Sequence, residues 1–344
     1  MSRAVWLALA LLLASPVLSA FWTVLSSAAF VVEFLSDGRW RPLSAITRAP
    51  EVRPLPAAAD GRPIPVDLYA RPSLGRPRGL VLVHGLSPEG KDEPRLRRAA
   101  ALLARTGWAV AVPTVEGMTT LRLRPEDSDT VVAAIAALGR EGLTPVAVLG
   151  ISVGAGPALL AAADPRAVPS VSAVLALGGY ASTVELLRYT LTGAYRFDGM
   201  AGRHPVNEAG IAVFARANAE LVGPAGRSLI ANRDPEAVDR LVAALPPETR
   251  RLLDALSPER AVGSLRAPLF LIHGGDDPAV PVTETLRLER AARTAGRPVR
   301  AVVVGAVGHV DPDERAGWRD LGRLWAAYYA FRMAAGRPIS GAGP

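Results

Sequence analysis

Residues 145–157 read PVAVLGISVGAGP. An apolar run suited to a buried strand breaks at Gly150-Ile151-Ser152-Val153-Gly154, one hydroxyl between two glycines, and a helical pattern, AGPALLAAA, follows within a few residues. A serine on a sharp strand-to-helix turn projects its hydroxyl from the edge of a sheet. Glycines on either side let neighbouring backbone approach without Cβ clashes. The helix that follows aims its first N–H groups toward the Ser152 hydroxyl. A serine is a poor nucleophile at neutral pH without a base, so the stretch has chemical meaning only if a histidine and an acid join it. Without them Gly-x-Ser-x-Gly is a turn in a glycine-rich chain.

Working outward, short apolar runs alternate with helical patterns, which is the signature of a parallel sheet with crossover helices. The runs lie at 79–85, 109–113, 145–150, 171–179, 268–275 and 299–309. They are apolar throughout, without strict alternation, so the strands are expected to be covered on both faces. Between the first two, Leu96, Ala99, Ala100 and Leu103 keep helical spacing up to Gly107. Val131, Val132, Ile135 and Leu138 do the same before Gly142. The connection from Ala181 to about Arg266 is far longer than a crossover requires and looks helical over 183–195, 206–222 and 247–256. Placed there, it would lie over the carboxyl ends of the strands, where open α/β sheets bind ligands, and would act as a cap that governs substrate choice.

A general base should then follow the last strand, which runs into Gly308-His309, and an acid should follow the strand before it, in HGGDDPAVP at 273–281. Ser, Asp, His is the chain order this architecture demands. The other histidines carry less. His84 and His273 each precede a glycine at a strand end and suit loop-shaping. His204 is expected at the surface, and Tyr180 either lines a pocket or packs.

With these motifs in order, LVHG at 82–85, GISVG at 150–154, HGGDDPAVP and the terminal GH, the chain resembles the α/β-hydrolases over about residues 65–335. Within them it is most similar to serine esterases and to the dienelactone hydrolase-like and prolyl oligopeptidase-like branches. It departs from dienelactone hydrolases in having no cysteine for their nucleophile. The resemblance implies an α/β-hydrolase fold, with a mostly parallel doubly wound sheet and a helical cap at about 181–266. It also implies a cofactor-free, metal-free mechanism in which Ser152 attacks an acyl carbon and His309 shuttles the proton. The family spacing H-G-x-x-D-x-x-V-P places the acid at Asp277 and leaves Asp276 facing solvent or bonded within its loop, with Glu185 the next acid to consider. The backbone N–H groups of Leu86 and Val153 match the family's oxyanion donors. The expected activity is hydrolysis of a small-molecule carboxylic ester through an acyl-enzyme. A peptidase or amidase using the same triad, and a noncatalytic binding protein on this fold, stay open.

Composition sets the outer bounds. At 344 residues, half of them hydrophobic, the chain can order one large domain with an insertion or two modest ones. The net charge of +7 is almost all arginine, spread through the chain with Lys91 as its one lysine, so no nucleic-acid stripe is read from it. The lack of cysteine removes disulfides and thiolate metal sites. No charge interrupts Ala4 to Val32, long enough for a bilayer-spanning helix. Residues 1–36 are therefore read as an uncleaved membrane anchor, with a cleaved signal ending near Ser19 as the rival and a secreted or periplasmic protein as its consequence. Basic residues after the segment, Arg39, Arg41, Arg48 and Arg53, place the domain on the cytoplasmic side, while secretion logic places it opposite. Residues 37–64 read as a linker, a chain starting near Asp37 as a soluble domain, and 336–344 as a flexible tail. Oligomeric state is open.

Overall fold

The computed structural model describes residues 3–72, 77–122, 124–221, 223–305 and 317–336. Eight strands form the central sheet: β1 Glu51–Pro54, β2 Val66–Ala70, β3 Arg78–Val83, β4 Trp108–Pro113, β5 Val146–Ile151, β6 Val171–Leu177, β7 Leu269–Gly274 and β8 Val299–Val304. Their order across the sheet is β1-β2-β4-β3-β5-β6-β7-β8. The pairs β1/β2 and β2/β4 are antiparallel and the rest parallel, so the expected doubly wound sheet is present with two antiparallel strands added at one edge.

Successive residues of the central strands feed opposite cores, as a period of two requires. Val81, Val83, Val146 and Val148 join one core, with α3 Asp127–Arg140, α4 Ala155–Ala163 and α7 Thr283–Thr294 over that face. Leu80, Leu82, Ala147 and Leu149 join the other, beneath α2 Pro94–Arg105 and α8 Trp318–Ala335. The helix signals act as their chemistry dictates. Pro94 occupies the first turn of α2, and the Glu93 carboxylate accepts the Leu96 N–H at 2.6 Å. The Leu96, Ala99, Ala100 and Leu103 stripe is buried, and the chain turns out at Gly107 with φ +106°.

The N-terminal third departs from the expected layout. α1 Arg3–Leu35 is one helix of 33 residues, the only one among the described residues long and apolar enough to cross a membrane. Its C-terminal part is nonetheless built into the domain. Val31 belongs to the second core, and the Phe30 ring stacks on Tyr328 of α8 at 4.5 Å between centroids. Arg332, buried in α8, donates to the Thr23 carbonyl and to the Ser26 and Ser27 hydroxyls of α1 at 3.0, 2.9 and 2.7 Å, and to the Thr106 carbonyl at 2.6 Å. Burial drives the Arg332 guanidinium below its ordinary pKa. Glu33, also buried, accepts the Ser44 N–H at 2.9 Å.

Residues 37–64 are likewise not a linker. They contain the short helix Pro42–Ile46 and the edge strand β1, whose four residues are too few and too rich in charge and proline to show a strand pattern. The folded domain therefore begins inside α1 and not at residue 65. A chain starting at Asp37 would expose the α8 face and strip Arg332 of three acceptors. The tail at 337–344 lies outside the described residues.

The insertion between β6 and β7 carries α5 Thr183–Thr192, a hairpin of Ala194–Phe197 with Met200–Arg203, α6 Glu208–Ala217 and further short helices. Leu191, Ile211, Leu229, Val238, Leu245 and Leu253 give it a small core of its own.

Candidate active site

Ser152 follows β5 with φ +55°, a left-handed conformation that a side chain bearing Cβ adopts only when its surroundings impose it. The surroundings are visible. A Cβ on Gly154 would stand 1.9 Å from the His84 carbonyl oxygen, and one on Gly85 would meet the Ser152 Cβ at 3.1 Å. The loop after β3 thus lies directly against the serine turn, an approach that larger residues at these glycines would obstruct. Ser152 is 9% exposed and faces a cavity of about 1150 Å³ that Leu86 and Val153 also line.

His84 fixes that loop. Its Nε2 accepts the Val115 N–H at 2.9 Å, so the ring proton resides on Nδ1, which donates to the Gly85 carbonyl at 2.7 Å. Burial holds its pKa below the ordinary histidine value, which keeps this neutral tautomer. The Ser87 N–H donates to the Met118 carbonyl at 3.2 Å, so the backbone is held on both sides of Leu86. Loop-shaping was the role expected of His84, and this is its geometry.

Asp277 follows β7 with its side chain wholly buried, whereas the Asp276 side chain is 96% exposed. Asp277 Oδ1 accepts the N–H groups of Ala279 and Val280 at 2.8 and 2.9 Å. Oδ2 stands 3.4 Å from Nε2 of buried His273, whose Nε2 also donates to the Val280 carbonyl at 2.9 Å while Nδ1 accepts from Thr285 at 2.7 Å. His273 therefore shapes the acid's loop. Glu185, the reserve acid, is engaged elsewhere, 3.2 Å from Arg188 and 3.1 Å from Arg287. His309 lies outside the described residues. The strand leading toward it is described: β8 pairs with β7 in parallel, Gly274 opposite Val304, so the chain leaves both strands at one edge of the sheet.

The Tyr189 clamp and the Glu284 anchor have no local signal in the sequence. The Tyr189 hydroxyl, from α5, donates to the Pro278 carbonyl at 2.7 Å and so clamps the acid's loop from the insertion. Burial, then the Asp277 charge, raises its pKa and keeps it a donor. Glu284, at the start of α7, accepts the Ala181 and Ser182 N–H groups at 2.9 Å each, anchoring the root of the insertion. Burial pushes its carboxyl up to about 7. Tyr180 both lines the cavity and packs, its hydroxyl donating to the Leu256 carbonyl at 2.9 Å. His204, expected at the surface, is instead tucked beside Tyr189 and Tyr195, with ring centroids 6.0 and 5.8 Å away, and has Asp276 at 3.5 Å. A lone histidine in a polar insertion carries no signal for such an aromatic cluster.

The chain belongs to the alpha/beta hydrolase family, whose model matches residues 80–318. Among curated proteins it is similar to the uncharacterized protein Rv2307c of Mycobacterium tuberculosis, at 42% identity over 67 residues, which is 20% of this chain and 23% of that one. The match therefore spans less than a quarter of that relative. Among solved structures it is similar to a Mycobacterium tuberculosis puromycin-hydrolyzing peptidase, with TM-score 0.52 at 21% identity, covering 86% of this chain and 40% of that one. An acylaminoacyl peptidase from Pyrococcus horikoshii gives TM-score 0.55 at 16% identity, covering 87% and 43%. The dienelactone hydrolase of Anabaena variabilis gives 0.50 at 17%, covering 83% and 98%. At these identities the likeness is one of fold.

Proposed function

We propose that the protein is a serine hydrolase that cleaves a carboxylic ester by way of an acyl-enzyme, held at a membrane by the apolar part of α1. The observation that carries this reading is Ser152 at φ +55° on a glycine-cleared turn, facing a cavity. His309 is assigned as base by the occupation of the other three histidines: His84 and His273 have both ring nitrogens engaged, and His204 lies outside the cavity wall.

In this reading the Ser152 Oγ attacks the acyl carbon as its proton passes to His309. The resulting oxyanion takes N–H bonds from Leu86 and Val153, each worth roughly 2.7–4 kcal/mol to the transition state. His309 then protonates the departing alkoxide, and a water, deprotonated by the same ring, releases the acid and frees Ser152. Asp277 holds the imidazole tautomer and stabilises its cation. No step calls for a metal or cofactor.

Labelling with a fluorophosphonate tests the reading. The wild-type chain should be modified at Ser152, and Ser152→Ala should abolish it; labelling that persists elsewhere in the Ala variant refutes the assignment. The peptidases among the similar structures favour one second reading, amide cleavage by the same serine. Comparing kcat/KM for a p-nitrophenyl ester with that for an aminoacyl p-nitroanilide separates the two.

A further inference from the structure

The cavity at Ser152 does not end at the sheet edge. A smaller apolar pocket of about 80 Å³ adjoins it beneath α1, and Phe34, Leu35, Ala99, Ile151 and Leu177 line both spaces. Its lining is aliphatic and aromatic throughout. Ile151, the residue before the nucleophile, lines both, so the smaller pocket borders the cavity that Ser152 faces and lies under the N-terminal helix. The larger cavity also carries the exposed charged residues Arg39, Glu89 and Arg95 in its wall, which the smaller pocket lacks.

On the outside of the same helix, Leu18, Phe21, Leu25 and Val32 are exposed at helical spacing, an apolar stripe along Leu18–Leu35, the stretch apolar enough to cross a membrane, whose end lines the cavity. The domain's first polar grip on α1 is the Arg332 bond to the Thr23 carbonyl, and Phe34 stands 34 − 23 = 11 residues further on, about 16 Å along the axis.

We infer that the substrate is a long-chain acyl ester supplied from a lipid surface, with its acyl chain lodged between Ser152 and the C-terminal end of α1. This rests on the serine-hydrolase reading above and names its substrate class. An apolar pocket adjoining the cavity of the nucleophile excludes water from the acyl chain and gives favourable burial for each added methylene, of about 0.8 kcal/mol. The charged, exposed part of the larger cavity's wall suits the polar alcohol portion. Attack by Ser152 Oγ then transfers the long acyl group to the serine and releases that alcohol, with water completing hydrolysis.

The test uses the full chain in CHAPS, a detergent without an alkyl tail, and p-nitrophenyl esters from acetate to dodecanoate. The kcat/KM should rise at least tenfold from acetate to octanoate. In Leu35→Trp, which plugs the pocket from the α1 side, the octanoate-to-acetate ratio should fall at least tenfold. A wild-type profile that peaks at acetate, or an unchanged ratio in a folded Leu35→Trp, overturns the inference.

Should Leu35→Trp not fold, two alkyl fluorophosphonates that differ only in having an ethyl or an octyl chain decide the matter on wild-type protein. Faster labelling of Ser152 by the octyl reagent supports the inference, and equal rates refute it. Labelling by neither refutes the serine-hydrolase reading itself, so the two failures are distinct.

Discussion

Asp276 and Asp277 are chemically identical neighbours in opposite surroundings, one side chain 96% exposed and the other with none of its surface in water. Two backbone N–H groups hold Oδ1 of Asp277, and the His273 ring faces Oδ2, so an amide in its place sets a new donor against the His273 Nε2–H. On the proposed mechanism Asp277→Asn should also leave the His309 imidazole in the wrong tautomer and lower kcat by about 10⁴. Asp276→Asn should change kcat by no more than a few-fold. Steady-state kinetics on one ester checks both, and a larger loss at position 276 would remove Asp277 from the mechanism.

At the scale of elements, α1 is the one whose role sequence and structure describe differently. Its Thr23, Ser26 and Ser27 groups satisfy Arg332, and Phe30 and Val31 cover α8. A chain beginning near Ala20 keeps all of these contacts and should melt within a few degrees of the full chain. One beginning at Asp37 should aggregate or lose cooperative melting. Arg332→Leu, which leaves these acceptors without their donor, should destabilise by about 2 kcal/mol or more, read as a lowered midpoint in urea.

The alternating apolar runs, the α2 and α3 stripes and the Gly-Ser-Gly turn were readable because each depends on local period or local sterics. Strand β1 was not, since an exposed four-residue edge strand owes its form to its partner β2. The apolar run of α1 reads as an anchor, and its packing on α8 is not visible in the sequence because the uncharged run continues to Val32. Glu33, buried and bonded to Ser44, was the one residue in the sequence that pointed the other way. At the site, Ser152 and the two aspartates were legible from their motif. The Tyr189 clamp and the Glu284 anchor join residues far apart in the chain and have no local signature.

Over the whole molecule, Glu284 couples the insertion to the body, and its titration makes that coupling depend on pH. Arg287, 3.1 Å away, favours the charged form and Glu185 opposes it, but burial dominates and lifts the carboxyl from 4.5 to about 7. Between those values the folded protein holds more proton at Glu284 than the unfolded chain, so this group's contribution to stability is greatest below about 4.5 and is lost as pH rises toward 7. Melting temperatures of wild type and Glu284→Gln, compared from pH 5 to pH 8, should show a wild-type decline that the variant lacks. Parallel curves would mean that Glu284 stays charged throughout.

Because α1 continues unbroken in helical backbone from Arg3 to Leu35, its membrane-length apolar stretch and the cavity wall are parts of one rod about 50 Å long. On the anchored reading, encounter with substrate takes place in two dimensions. Velocity should then follow the mole fraction of ester within the vesicle surface, and diluting a substrate-bearing bilayer with inert lipid should slow hydrolysis even while the total ester in the tube is unchanged.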